Sequence, residues 1–334
     1  MSAGKPDNAT VRNAIALAAR APSVHNTQPW RWLIGTESVH LMADWNRHLH
    51  ATDPDGRDLV ISCGAALHHL RVAFAGLGWA TRVHRFPNPA DPDHLAGVEP
   101  YAAPPADQDI SLTTAIARRQ TDRRQFSARP VLAEHLDLLV ERAGHEGVLA
   151  VPVTDPVRRH RLTTAIALAA EHVDDTAETA LWSGRGRGDL DGVQAVSVVP
   201  FGAVYGDTTV RAFNAGTLLP STVDPEDVGP GELIVLATPG DDTLARLRAG
   251  EAASAVLLAA TELGLATCPL SQPLEPGTAA MIRDSVLDRT AVPQLVLRVG
   301  WPPATAGPLP RSRRRHLEEF TAYLPGIAPA RDNQ

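Results

Sequence analysis

Residues 64–81 of this chain, GAALHHLRVAFAGLGWAT, return at 250–267 as GEAASAVLLAATELGLAT, at a constant offset of 186 residues. Gly64, Ala66, Ala73, Leu77, Gly78, Ala80 and Thr81 are identical in the two copies. Each copy reads as a helix, a glycine stop and the start of a strand. Alanine-rich helices resemble one another by composition alone, but an equal helix length followed by the same G-x-A-T ending does not follow from composition. The repeat predicts a duplicated unit. Small residues allow close helix packing, so two such helices related by duplication predict a pseudo-symmetric core.

The rest of the chain supplies elements of both kinds. Residues 10–20 have helical apolar spacing at Val11, Ile15, Leu17 and Ala18. A polar loop covers 21–29, and 30–34 and 39–42 read as a strand pair across GTES. Residues 58–77 read as a long helix and 80–85 as a strand, with Pro87, Pro89 and Pro92 marking a loop. Helices are predicted at 108–119 and 131–144, a strand at 148–153, and one or two helices within 155–180. A buried strand at 231–237, helices at 242–263 and 277–286, and a strand at 292–299 complete the series. Residues 183–230 differ: they are glycine-rich and have no long period, which suits a lid or excursion over a site, or else a plain linker. The predicted units are 1–107 and 108–334, with a lid-like insertion near 183–230 in the second.

Composition excludes several classes. The chain has 334 residues, 44% hydrophobic and 21% charged, which is ample for a buried core. A net charge of −7 argues against a general nucleic-acid binder. Two cysteines, Cys63 and Cys268, are too few for a disulfide framework or a four-thiolate metal site. The histidines are scattered without metal-ligand spacing, His68-His69 pointing different ways from one helix. The GRGRG run at 184–188 lacks the strand–turn–helix context of a dinucleotide fingerprint. No apolar run looks long enough to span a membrane, and the polar N-terminus lacks a signal region, so a cytoplasmic protein is the default expectation. Lys5 is the only lysine. Coding bias explains that simply, but arginine is also the better fork for a phosphate.

Four segments could carry chemistry. APSVHNTQPW at 21–30 is a helix–strand loop stiffened by Pro22 and Pro29, in which Ser23, His25, Asn26 and Gln28 offer donors and acceptors to a polar, planar ligand. RRQTDRRQF at 118–126 puts several guanidiniums and a hydroxyl between two predicted helices, a plausible cradle for a phosphate dianion or else a solvated basic turn. LPRSRRRH at 309–316 follows the strand ending in Gly300-Trp301-Pro302. TCPLSQ at 267–272 follows the second repeat helix.

The loop APSVHNTQPW resembles the FMN-contacting loop of nitroreductase-fold flavoproteins, and its longer form with His and Thr is similar to the Acg-type branch, single chains built from two fused halves. The resemblance implies an α+β nitroreductase fold: two tandem halves forming an intramolecular pseudo-dimer, with antiparallel-rich sheets flanked by helices. It implies that Pro22, Ser23, His25, Asn26 and Gln28 touch FMN. It also implies that Arg119, Thr121 and Arg123 match the family's Arg-x-Ser/Thr-x-Arg/Lys phosphate segment, with Arg124 as substitute for Arg123. Arg311 and Arg313 are implied to reach the same phosphate, whereas Arg315 and His316 fit a charged surface tail. Leu270, Ser271 and Gln272 are implied to present a backbone N–H to the flavin N5, Leu270 and Ser271 foremost, with Cys268 as a small buried filler.

In homodimeric relatives, one subunit gives the basic segments and the partner gives the Ser/Asn loop. Here the loop occurs only in the first half; its counterpart near 144–147, GHEG, does not match. The basic segments occur only in the second half. One FMN per chain follows, in a monomer. The implied activity is NAD(P)H-dependent reduction of nitroaromatic or quinone-like acceptors by ping-pong hydride transfer through FMN, with NAD(P)H and a small electron acceptor as further partners, no metal and no assigned catalytic side chain. The rival reading is an FMN storage protein with the excursion closed over the flavin.

Overall fold

The structure is a computed structural model, described here for residues 4–171, 176–186, 188–198, 204–205, 208–209, 213, 216–218, 227–275, 277–303 and 307–327. The first unit runs α1 (Asn8–Ala18), β1 (Trp30–Ile34), β2 (Val39–Ala43), α2 (Arg57–Gly76), β3 (Trp79–Arg85) and β4 (His94–Ala102). Then come α3 (Asp107–Arg118), β5 (Phe126–Ser127), α4 (Ala133–His145), β6 (Leu149–Pro152), α5 (Pro156–Glu171) and α6 (Thr176–Leu181). Two short pairs follow, β7 (Val204–Tyr205) with β8 (Thr208–Thr209), and β9 (Val228–Gly229) with β5. The chain continues with β10 (Glu232–Thr238), α7 (Thr243–Glu262), β11 (Ala266–Leu270), α8 (Ala279–Ser285), β12 (Val292–Gly300) and β13 (Thr321–Tyr323).

The two larger sheets share one plan. The first has the order β13-β1-β2-β4-β3 and the second β11-β12-β10-β6. Leaving β13 aside, each places its strands so that the one after the long helix pairs with the last strand, and that with the strand before the helix. All pairings within this shared plan are antiparallel. The expected α+β architecture with antiparallel-rich sheets is what the chain adopts. The difference lies in the connections: β1 and β2 are joined by a tight turn, whereas β6 and β10 are separated by α5, α6 and the excursion. β13, from the far end of the chain, adds to the first sheet as a parallel partner of β1, with Trp32 opposite Thr321.

The repeat helices are α2 and α7, and their limits coincide at the same offset of 186. Both are almost wholly buried. They meet where Gly64 and Gly250 lie. A Cβ on Gly64 would fall 2.0 Å from the Leu247 carbonyl oxygen, and one on Gly250 2.0 Å from the Ile61 carbonyl oxygen. Leu247 is the repeat partner of Ile61, so the contact is reciprocal, as a two-fold relation requires. A composition that suits a bilayer-spanning helix is present in α2, but most of that helix is buried inside the protein, where an all-round apolar surface is expected.

In the first sheet, two strands escape a reading by pattern, as do the two-residue strands β5, β7, β8 and β9 elsewhere. β4 follows the proline-rich loop and contains Pro100, yet it is an interior strand. β2 covers it only as far as Val98, so Pro100 has a neighbour on the β3 side alone, where its missing N–H is tolerated. β13 is three residues long and pairs 289 residues away, opposite Thr321 from Trp32, which no local pattern reveals. Pro269 sits in β11, an edge strand, for the same reason.

Gly64→Ala is expected to lower stability by about 3 kcal/mol or more, because the new methyl meets backbone and not a movable side chain. Chemical denaturation checks this; a loss under about 1 kcal/mol would mean that the two helices separate easily.

Candidate functional site

The loop at 21–28 is built by its own backbone strain. His25, Asn26 and Gln28 all have positive φ, at 45°, 56° and 52°. Asn tolerates this region, but His and Gln do not favour it, and three such residues in four persist only where the surroundings fix them. The surroundings are visible. The Gln28 N–H donates to Ser23 Oγ at 3.0 Å, and the Val24 N–H donates to Ser62 Oγ on α2 at 3.0 Å. The Asn26 amide donates to the Gly192 carbonyl at 3.1 Å, and the Gln28 amide to the Leu190 carbonyl at 2.8 Å. Gln28 Oε1 accepts from the Arg315 N–H at 2.9 Å. Arg47 pins the same region through the Thr27 carbonyl and Asp191.

Around this loop lie two chambers that share Pro22, Ser23, Thr121 and Arg123 as lining. The first encloses about 880 Å³ of atom-free space, part of it open to solvent. Its apolar walls come from both repeat helices, Ile61 and Ala65 on α2 and Ala253 and Leu257 on α7, with Leu295 on β12. Its rim is the end of β11, from Cys268 through Leu270 and Ser271 to Gln272. Apolar walls with a few polar groups at the rim suit a planar ring.

The second chamber is lined by five arginines, Arg20, Arg119, Arg123, Arg311 and Arg314, and by no carboxylate among the described residues. Helix α1 explains how like charges stay together. Its last carbonyls accept from these arginines: Arg314 Nε donates to Ala19 O at 2.9 Å and Nη2 to Arg20 O at 3.1 Å, while Arg119 Nη2 donates to Arg20 O at 3.4 Å. Cations at a helix C-terminus are favourable. That contact leaves Arg119 Nε and Nη1 buried with no partner among the described residues, on a side chain only 6% exposed. Burial, and then Arg20, push Arg119 down to about 10. Burial, and then Arg119 and Arg20, push Arg314 down to about 9. Both remain charged at neutral pH. Buried N–H groups normally have acceptors, so this is a donor set that fits an anion.

The segment carrying Arg119, Thr121 and Arg123 is held flat against β11. The Asp122 N–H donates to the Thr267 carbonyl at 2.8 Å, and Arg298 Nη2 donates to the Arg124 carbonyl at 2.6 Å. Arg124, the alternative to Arg123, bonds Asp122 through Nε at 2.9 Å and Nη2 at 2.7 Å and points away from the chamber. Arg123 faces both chambers and lies over the Phe213 ring, 5.1 Å from its centre.

Of the residues singled out from sequence, the structure brings Pro22, Ser23, His25, Asn26, Arg119, Thr121, Arg123, Leu270, Ser271 and Arg311 to the two chambers. Gln28 is at neither; its polar groups hold the loop to Leu190 and Arg315. Arg313 is exposed and donates to the Gly188 carbonyl at 3.1 Å, and Arg314 stands on the chamber wall in that stretch. Arg20 and Arg314 were not legible beforehand: Arg20 reads as the last residue of an amphipathic helix, and a run of RSRRR does not say which arginines point inward. Arg315 is not a surface tail residue, since Nη1 donates to Gln28 O at 3.0 Å. Part of the 183–230 excursion lies outside the described residues; of the rest, Gly192, Val193, Gln194 and Ser197 border the arginine chamber and Phe213 borders the apolar one. Among the described residues, no three His, Cys, Asp or Glu side chains group to hold a metal.

Compared with models of known protein families, the chain matches none. It is 44% identical over 324 residues to "Putative NAD(P)H nitroreductase Rv3131" of Mycobacterium tuberculosis H37Rv, covering 95% of this chain and 92% of that one. It is 34% identical over 320 residues to the protein acg of the same strain, described in the same words, covering 92% of this chain and 94% of that one. The chain belongs to the Acg-type nitroreductase family. The sheets and paired central helices described above are thus this family's nitroreductase fold. Among solved structures, a nitroreductase with bound FMN from Bacteroides fragilis is similar at 16% identity and a TM-score of 0.37, over 59% of this chain and 90% of that one.

Arg119→Met is expected to leave the ligand-free protein as stable as before or more stable, since it removes a buried, partly unpaired cation from a cluster of like charges. The same change should weaken anion binding by about 1.5–3 kcal/mol. Thermal unfolding with and without inorganic phosphate measures both; a large loss of stability in the ligand-free protein would make Arg119 a structural residue.

Proposed function

We propose that the cleft holds one FMN per chain, ring in the apolar chamber and phosphate among the arginines, and that the protein is an NAD(P)H-dependent oxidoreductase for electron-poor acceptors such as nitroaromatics and quinones. The observation that carries this reading is the adjacency of an arginine chamber, with no carboxylate among its described lining residues, to an apolar one, the two sharing Pro22, Ser23, Thr121 and Arg123 as lining. Residues 1–107 and 108–334 then serve as the two halves of one pseudo-dimer, and the site takes its loop from the first and most of its arginines from the second. When bound, FMN supplies the hydride chemistry between NAD(P)H and the acceptor.

The protein's own part is positioning and electrostatics. Arg119 offers Nε and Nη1 to the phosphate, and Arg20, Arg123, Arg311 and Arg314 surround it. Charge-assisted bonds of this type are the strong ones. Ser23, which lines both chambers, would border a ribityl chain passing between them, and Asn26 would border its arginine end. Backbone at Leu270, Ser271 and Gln272 is our candidate for the donor to the ring N5. Ile61, Ala65, Ala253, Leu257 and Leu295 keep water from the ring face. Hydride transfer needs no acid–base side chain, so none is assigned as catalytic, and solvent can supply the proton that completes the product.

A second reading, storage of FMN without turnover, is favoured by Phe213. This excursion residue is 6% exposed, lines the apolar chamber, and meets His25 edge to face at 5.4 Å between ring centres. A ring there competes with a nicotinamide for the flavin face.

Riboflavin, which lacks the phosphate, is expected to bind at least about 100-fold more weakly than FMN, by two or more lost charge-assisted bonds; equal affinities would remove the phosphate assignment. With NADPH under anaerobic conditions, flavin bleaching within seconds supports the oxidoreductase. Bleaching by dithionite but not NADPH supports storage, and Phe213→Ala should then restore bleaching by NADPH.

A further inference from the structure

The reciprocal contact of α2 and α7 fixes where a twin of the apolar chamber would lie. Lining positions on the repeat helices and on the strand after each have counterparts at the offset of 186. Ala65 corresponds to Glu251, Leu257 to Arg71, and Ser271 to Arg85. The loop at 19–29 between α1 and β1 corresponds to the short loop at 146–148 between α4 and β6, which carries Glu146.

Those four counterparts bond to one another. Arg85 Nε donates to Glu251 Oε2 at 2.7 Å and Nη2 to Oε1 at 2.8 Å. Arg71 Nη1 donates to Glu251 Oε1 at 3.0 Å and to Glu146 Oε2 at 2.6 Å. Glu251 is 0% exposed. Two arginines and two glutamates make the cluster formally neutral. Burial raises the Glu146 carboxyl, but His68 and Arg71 outweigh it and hold that carboxyl below its ordinary value. Where the half with the apolar chamber has alanine, leucine and serine around open space, the other half has long charged side chains that meet one another.

We propose that the Arg71–Arg85–Glu146–Glu251 cluster is a plug filling the twin of the flavin chamber, and that removing it opens a second site for a neutral planar heteroaromatic ring. The identity of that ring rests on the flavin reading of the first site; the filling of the twin does not. The plug explains physically why one chain has a single site. Sequence divergence took the Ser/Asn loop and the arginine segment from the twin, and a hole left between two packed helices would forfeit contacts on every wall. A neutral, internally bonded cluster fills such a hole without leaving an unpaired charge. It replaces a ligand by side chains.

The test is a count of ring sites on FMN-loaded protein. The probe is lumiflavin, which has the ring but no ribityl phosphate, because the twin has no arginine chamber. The variant combines Arg71→Leu, Arg85→Ser and Glu251→Ala, the residues found at the equivalent cleft positions, with Glu146→Gln so that no carboxylate is orphaned. Equilibrium dialysis should show no lumiflavin on the FMN-loaded wild type and one equivalent on the variant. A variant with native circular dichroism and retained FMN that takes none overturns the proposal, as does wild type that already takes one. Should the fourfold variant not fold, the charge-balanced pair Arg85→Ser with Glu251→Ala leaves the Arg71–Glu146 bond in place and makes a smaller hole, probed with quinoxaline to the same two outcomes. Failure of both variants to fold also overturns it, since a plug is dispensable to the fold. If instead the wild type takes up no FMN, only the cofactor reading falls. The plug is then tested on the ligand-free chain with quinoxaline, a small neutral heteroaromatic probe, by one more equivalent bound to the variant than to the wild type; equal counts overturn it.

Discussion

The contact of Gly64 with Leu247 and Gly250 is the constraint on which the rest of the molecule depends. It brings two helix backbones together with no side chain between them. Once α2 and α7 are that close, the strands that follow them, β3 and β11, fall on opposite sides of the pair. Each side then presents a space between one sheet and both helices. The repeat therefore offers two related places for a chamber, and what differs between them is which side chains fill the walls and which loops and strands close them.

Two different electrostatic solutions occupy these places. Beside one of them, five guanidiniums line a chamber that has no carboxylate among its described lining residues, two of them bonded to carbonyls just past the end of α1, and part of Arg119 is left without an acceptor among the described residues. Such a cluster costs stability by itself, and it becomes favourable when an anion supplies the missing charge. On the other side, arginine and glutamate satisfy each other and nothing is left over. The first arrangement waits for a ligand and the second excludes one. That contrast, more than any single residue, makes the chain asymmetric although its helices are a repeat.

The chain's far end completes the first side. β13 joins β1, and the segment before it carries Arg311 and Arg314 past the 21–28 loop, where Gln28 holds it through the Arg315 N–H. Gln28, which sequence suggested as a ligand contact, lines neither chamber; its buried amide is bonded to backbone at both ends and holds the loop. The excursion is tied to the same loop by Asn26, Gln28 and Arg47, so loop, C-terminal segment and excursion order one another around one opening.

What the sequence by itself determined is local or periodic. The equal-length helices and their glycine stops were legible because a repeat at constant offset needs no knowledge of contacts. Most strands were legible from alternation and turn residues, and Arg119, Thr121, Arg123 and the 21–28 loop stood out because short contiguous motifs there resemble the family's cofactor segments. Tertiary structure alone decided the rest. β4 and β13 depend on partners far along the chain, and Pro100 is acceptable only because β2 stops at Val98. Which arginine of 311–315 faces the chamber depends on how an irregular segment is pinned, and Arg20 enters the site only because α1 ends there. The plug was invisible for a related reason. Glu251 and Arg71 each look like a charged residue misplaced in an apolar helix, and only their meeting in space turns two apparent faults into one neutral unit.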